Sequence, residues 1–210
     1  TSYSPGSAHY NLKKSPDILL LSDKPEGKID IKSLELSELT GQLAQMGQPK
    51  FRGGQVYSWL HEKRVDSFEQ MSNLPAALRQ SLGERYYINS LSVVKKLTSK
   101  IDGTQKYLLR LRDNNCVEAV LMRYKYGNSV CISTQVGCRM GCKFCASTLA
   151  GLVRSLTPAE MLDEIYTLTR ESGQRVSNVV LMGIGEPLDN FENVMKFMRI
   201  LSSPQGYNLS

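Results

Sequence analysis

Three cysteines fall within eight residues of the stretch VGCRMGCKFCAS: Cys138, Cys142 and Cys145, spaced C-x3-C-x2-C. Thiolates are ligands for soft metals and for iron–sulfur clusters, so this spacing reads as a metal or redox centre before it reads as packing. A structural zinc takes four ligands, usually as two separated pairs, and no second pair is present here. A cubane 4Fe–4S cluster has four irons to ligate, so three thiolates would leave one iron open to a small molecule. On spacing alone, zinc, an iron–sulfur cluster and three buried free thiols all stay open. Gly137 and Gly141 allow a tight fold around the sulfurs, and Arg139 and Lys143 would favour the thiolate forms.

Other residues stand out by type and place. Cys131 lies seven residues before Cys138 on a predicted strand, where a lone cysteine is ordinarily a small core residue. Glu118, in VEAVLM, is an acid within a hydrophobic strand; it is either an outward-facing residue or a carboxyl in apolar surroundings with a raised pKa. Gly183-Ile184-Gly185-Glu186-Pro187 follows an apolar run, and reads either as a strand–helix turn or as a backbone that approaches a ligand, with Glu186 to accept from an ammonium group. In QPKFRGGQVYSWLHEKR, Lys50, Arg52, Lys63 and Arg64 accompany Tyr57 and Trp59, a mixture suited to phosphates and unpaired bases. Trp59 reads better as a core residue. Cys116 reads as structural.

These residues need elements to position them. Leu36, Leu39, Leu43 and Met46 recur at helical steps, with Gly47 and Pro49 as the stop. A second helix carries Val56, Trp59 and Leu60, and a third starts near Pro75. From Ser92 the texture alternates: VVKKLTSK, Asp102-Gly103 and QKYLLRLR predict a hairpin, and CVEAVLMR and SVCIST predict strands. Thr157, Pro158 and Glu160 make a capping box, with Leu156 and Met161 as a staple, before a helix burying Met161, Leu162, Ile165 and Leu168 and ending before Gly173. The run Val179–Ile184 predicts a parallel strand covered on both faces, and Phe191–Leu201 another helix. The expectation is an α/β chain with residues 1–32 a tail or linker, 33–91 a small helical domain, 92–134 a β-rich segment and 135–210 the first part of a (β/α) barrel.

Hydrophobic residues at 41%, charged residues at 22% and a net charge of +6 describe a globular chain with a modest preference for polyanions. No apolar run approaches the ~20 residues of a membrane span, and residues 1–16 lack the pattern of a secretory signal. Five cysteines with three in one cluster point to a reducing cytoplasm, not a disulfide framework. The chain begins without Met and stops at SSPQGYNLS, so it reads as a piece of a longer protein.

C-x3-C-x2-C with an aromatic before the last cysteine, here Phe144, resembles the cluster loop of the radical S-adenosylmethionine (SAM) enzymes. The stretches PKFRGGQVYSWLHEK, VEAVLM, VCISTQVGCRMGCKFCAS and NVVLMGIGEPLDN resemble the RlmN/Cfr adenine methyltransferases from about Leu36 onward. The resemblance implies a partial radical SAM barrel behind a helical RNA-binding domain. It implies methylation of adenine C2 in 23S rRNA and tRNA through a methyl-cysteine, or of C8 in a Cfr-like protein. Cys138, Cys142 and Cys145 become the ligands of a 4Fe–4S cluster, and Gly185 and Glu186 become SAM contacts. Glu118 becomes the proton acceptor, and Lys50 and Arg52 become RNA contacts. Cys131 becomes the residue that resolves a protein–RNA intermediate by forming a disulfide with a second, methyl-carrying cysteine, for which this sequence has no counterpart. An electron donor such as flavodoxin is implied as a partner. The rival from another class is a zinc-stabilised RNA-binding module, which has no use for Glu118 or for the GIGEP stretch.

Overall fold

The computed structural model describes residues 27–209, and the tail expected before them lies outside the described residues. Residues 29–32 are not the end of a tail. Strand β1 (Ile29–Asp30) pairs in parallel with β2 (Tyr86–Tyr87), and a 3-10 turn at Ile31–Ser33 buries Ile31 and Lys32. Between these strands lie α1 (Leu36–Gln45), α2 (Phe51–His61) and α3 (Ala76–Arg85). Glu38 accepts from the Glu35 backbone N–H at 2.7 Å to close the first turn of α1, and Leu39 and Leu43 face inward at the predicted spacing.

A five-stranded sheet follows, in the order β3 (Ser92–Thr98), β4 (Gln105–Arg110), β5 (Cys116–Tyr124), β6 (Gly127–Cys131) and β9 (Val176–Val180). Its first four strands pair antiparallel as hairpins, and only β6 and β9 run parallel. A separate hairpin joins β7 (Gln135–Gly137) to β8 (Leu152–Ser155). Helix α4 (Pro158–Ser172) is the crossover that a parallel pair requires. Thr157 accepts from Glu160 N–H while Glu160 accepts from Thr157 N–H, and α4 ends at left-handed Gly173. Helix α5 (Phe191–Ser202) completes the described chain. One face of the sheet, with Tyr107, Leu109, Val117, Ala119, Leu121 and Val130, shares a core with Leu162, Ile165 and Leu168 of α4.

The strand predicted over 179–184 is displaced. The ladder covers Val176–Val180, and β9 lies at the sheet edge with Ser177, Asn178 and Val180 exposed and Met182 78% exposed. Beyond Val180 the chain leaves the ladder but stays fastened to residues 132–135 by irregular backbone bonds, because its glycines admit a turn there.

The helical unit is docked on the rest through buried polar contacts. Lys32 Nζ donates to Asp163 Oδ1 of α4 at 2.6 Å and to the Asn89 carbonyl at 2.8 Å, while Asn89 donates to Asp163 Oδ2 at 2.7 Å. His61 Nδ1 lies 2.9 Å from the Tyr166 hydroxyl, with the Tyr57 ring tilted at 49° against the imidazole. Outside this buried strip, Glu35 and Glu38 pair with Arg199 and Lys196 of α5.

Burial, aided by the Lys32 charge, pushes the His61 imidazole down from 6.5 to about 3. A base with a depressed folded-state pKa contributes stability that is present above 6.5 and lost as the pH falls toward 3, at about 1.4 kcal/mol per pH unit. Asp30, raised to about 7 mainly by burial, acts in the opposite sense over part of that window, so the comparison must be with a variant. Urea unfolding at pH 7 and pH 5 should show the parent losing stability relative to His61→Phe by about one proton's worth. Parallel pH dependences in the two proteins would contradict this.

Candidate functional site

Residues 132–135 are buried and continue the line of β6 toward the cysteines. They hold the segment after β9 by main-chain bonds: Ile132 N–H to Val180 O at 3.0 Å, Gly183 N–H to Ile132 O at 3.0 Å, and Thr134 N–H to Ile184 O at 2.8 Å. Side chains reinforce the seam. Ser133 Oγ accepts from Ile184 N–H at 3.0 Å and donates to the Glu118 carbonyl at 2.8 Å. Gln135 Oε1 accepts from Glu186 N–H at 3.0 Å. Gly183 and Gly185 are required by this closeness: a Cβ on Gly183 would meet Ile132 O at 2.6 Å, and one on Gly185 would meet Gln135 at 2.6 Å. Gly185 also sits at φ +105, a region L residues avoid. Glu186 then caps the short 3-10 turn at Pro187–Asn190, its Oε1 accepting from Leu188 N–H at 3.0 Å.

The cysteines lie on the connection between β7 and β8, closed at its base where Cys138 N–H donates to Gly151 O at 3.1 Å. Gly137, at φ +73, lets that closure happen, since a Cβ there would stand 1.9 Å from Gly151 O. Cys138 is buried, Cys142 exposed and Cys145 intermediate, and among the described residues no three Cys, His, Asp or Glu side chains already form a metal cage. The Ser147 hydroxyl, with the Ser147 and Thr148 backbone N–H groups, lowers the Cys145 thiol pKa. Three soft sulfur donors on one glycine-hinged loop, one of them eased toward thiolate, suit iron–sulfur ligation. Arg139, expected to favour the thiolates, instead has its guanidinium on Asp189.

Cys131 and Glu118 share one face of the sheet. Cys131 is in register with Val120 of β5 and Val180 of β9, and Glu118 lies two residues from Val120. Burial raises the Cys131 thiol pKa, opposed by the Met182 N–H and supported by Glu164, so Cys131 rests as a thiol at neutral pH. All five cysteines are free thiols; the disulfide implied for Cys131 is not formed here. The apolar surroundings expected for Glu118 are not present. Its carboxylate is 42% exposed and pairs with Lys106 of β4 at 2.9 Å, because alternation turns it away from the core that holds Val117 and Ala119.

Lys50 and Arg52 lie at the start of α2, away from this seam. Lys50 is exposed, and Arg52 lies over the Phe51 ring at 5.0 Å while donating to Gln55 at 2.7 Å. Trp59 is half core and half surface. It packs on the core cluster, donates to Asn73 Oδ1 at 2.6 Å, carries the Lys63 ammonium 3.5 Å from its ring, and lines a 450 Å³ groove with Phe51.

Sequence reasoning did not identify Ser133, Gln135, Glu164 or Asp189. Glu164 of α4 is fully buried, its Oε2 accepts from Ser133 N–H at 3.0 Å, and desolvation raises its pKa well above the carboxylate range. The one available signal was polarity, in S-T-Q where a buried strand should be apolar.

Comparison with known proteins bears on both halves. Residues 29–88 match the family described as the ribosomal RNA large subunit methyltransferase N-terminal domain, and residues 132–209 match the radical SAM superfamily. The chain is 57% identical over 181 residues to a probable dual-specificity RNA methyltransferase RlmN of Lachnospira eligens, covering 86% of this chain and 52% of that protein. It is 56% identical over 183 residues to the protein of the same description in Lachnoclostridium phytofermentans, covering 87% and 51%. The crystal structure of a radical SAM methyltransferase from Sphaerobacter thermophilus superposes with a TM-score of 0.78 at 37% identity, covering 87% of this chain and 54% of that one. The chain thus spans about half the length of the relatives it matches.

The seam predicts the cost of closing off its tightest point. Gly185→Ala should lower unfolding stability by about 1–3 kcal/mol, from the disfavoured φ and the contact with Gln135. Gly141→Ala, where a Cβ meets open space, should pay only for its φ of +70 and lose less. Urea denaturation of the two variants tests the order.

Proposed function

Since the chain belongs to the RlmN family of radical SAM methyltransferases, we propose that it serves the methylation of carbon 2 of an adenine in 23S rRNA and tRNA by way of a methyl-cysteine, turnover needing the rest of the length that its relatives have. The observation that carries this reading is the seam. Residues 132–135 hold the Gly183–Glu186 turn by backbone and side-chain bonds and run on through β7 into the cysteine loop, with Cys131 and the strand of Glu118 alongside.

In this reading Cys138, Cys142 and Cys145 would hold a 4Fe–4S cluster, the loop drawing its exposed member inward. Bound there, the cluster would supply the electron that cleaves SAM, with a donor such as flavodoxin as its source. Gly185 lets SAM approach the backbone, and Glu186 accepts from its ammonium. Cys131 must lose its proton before attacking the sulfur of the methyl-carrying cysteine, and its raised thiol pKa makes that removal a distinct step. Glu118 would serve as proton acceptor once Lys106 is displaced from it, an exchange that could couple RNA arrival to the base. Lys50 and Arg52 would meet RNA phosphates. No described helix is long and apolar enough to cross a membrane, and the chemistry belongs in a reducing cytoplasm.

Anaerobic reconstitution should give a brown protein with about four irons per chain. Cys138→Ala, Cys142→Ala and Cys145→Ala should each abolish the cluster, and Cys116→Ala should leave it intact. A colourless protein with one zinc would transfer the case to an RNA-binding module. With the cluster reduced, Glu186→Ala should weaken SAM binding by about 1.5–3 kcal/mol, as for a hydrogen bond to a charged group. Mass spectrometry of nucleosides from RNA treated with a chain spanning the full length of its relatives decides the position: 2-methyladenosine supports the proposal, and 8-methyladenosine assigns the Cfr-like activity.

A further inference from the structure

We propose that Asp189 and Arg139 form a latch that positions the cysteine loop against the SAM-binding turn, making them positioning residues for SAM; this rests on the reading above. Arg139 follows Cys138 directly, and Asp189 stands three residues after Glu186. Arg139 donates from Nε to Asp189 Oδ1 at 3.1 Å and from Nη2 to the same oxygen. The other oxygen, Oδ2, accepts from Gln135 Nε2 at 2.9 Å. Gln135 is fully buried, and its own Oε1 holds the Glu186 N–H at 3.0 Å. One carboxylate therefore ties together the cysteine loop, strand β7 and the turn that carries Glu186.

An ion pair between two mobile surface side chains contributes little, because both must be ordered to make it. Here the exposure is one-sided. The Arg139 side chain is 64% exposed, whereas that of Asp189 is 11% exposed and already held by Gln135. The acceptor is pre-organised, so the ordering cost falls on one partner. The Asp189 carboxyl is held below its ordinary range by Arg139 first and Gln135 second, which keeps the latch charged at neutral pH. SAM held by both the cysteine loop and the turn would need the two at a set separation, so a contact that fixes it beforehand would remove that cost from binding.

The test uses the cluster-loaded protein with Arg139→Ala, Asp189→Asn and the double variant. SAM affinity is read from the change SAM causes in the electron paramagnetic resonance of the reduced cluster, alongside iron content. Each single variant should keep about four irons and bind SAM roughly tenfold more weakly, and the double variant should be no weaker than either single, since both remove one interaction. Affinity equal to the parent's, or losses that multiply in the double variant, would overturn the latch. Loss of iron in step with affinity would also overturn it, leaving only a structural role for the pair. In cluster-free protein, Asp189→Asn should speed amide hydrogen exchange across residues 138–145, and unchanged exchange there counts against the latch independently of SAM. A parent protein that takes up neither cluster nor SAM would defeat the underlying reading and this proposal with it.

Discussion

The buried backbone of residues 132–135 is the constraint around which the site is arranged. Main-chain N–H and C=O groups removed from water must find partners inside the protein, and here regular strand pairing stops at Cys131 and resumes only at Gln135 while burial continues. The partners are irregular: the carbonyls of Val180 and Ile184, the amide of Gly183, the carboxyl of Glu164 and the amide group of Asn190, whose Nδ2 donates to the Thr134 and Leu156 carbonyls at 2.9 and 2.8 Å. Satisfying that short stretch brings two loops side by side that lie far apart in the sequence. The closeness of these two loops follows from main-chain desolvation.

The same logic explains the charged groups inside the protein. Helix α4 is buried on nearly every side, so Glu160, Asp163 and Glu164 each need a partner within reach. Glu160 caps its own helix and grips Arg154 of β8 at 2.7 and 2.8 Å, tying the cysteine hairpin to the core. Asp163 takes Lys32, and Glu164 takes a backbone amide while desolvation favours its protonated form. Each of the three acids faces a different neighbour: the hairpin, the helical unit and the site strand.

Local signals were legible in the sequence, and long-range ones were not. The capping box at Thr157, the stop at Gly173 and the hairpin turn at Asp102-Gly103 are decided within a few residues, and all formed as expected. The cysteine spacing and the GIGEP stretch stood out in the sequence by residue type alone. The edge position of β9 was not readable, since an apolar run says that a segment seeks cover but not from which neighbour. Glu118 misled for a related reason. Alternation in VEAVLM was plain, yet which face held the core depended on Leu109 and Tyr107 across the sheet. Asp163 and Glu164 carried no signal in the sequence, because only the docking of the helical unit and the site strand buries them.

That docking has a consequence for synthesis on the ribosome. Lys32 is separated from Asp163 by 131 residues and Ser33 from Ala159 by 126, so the helical unit meets its buried partners long after its own helices have been made. Until α4 emerges, Lys32 and His61 have no interior to enter, and the apolar side of the unit faces water or a chaperone. Contacts of such long sequence separation form slowly, because the loop must close before the contact stabilises it. The order of translation thus favours a nascent chain that holds its first three helices loosely and sets them only when the cysteine-bearing core has been completed.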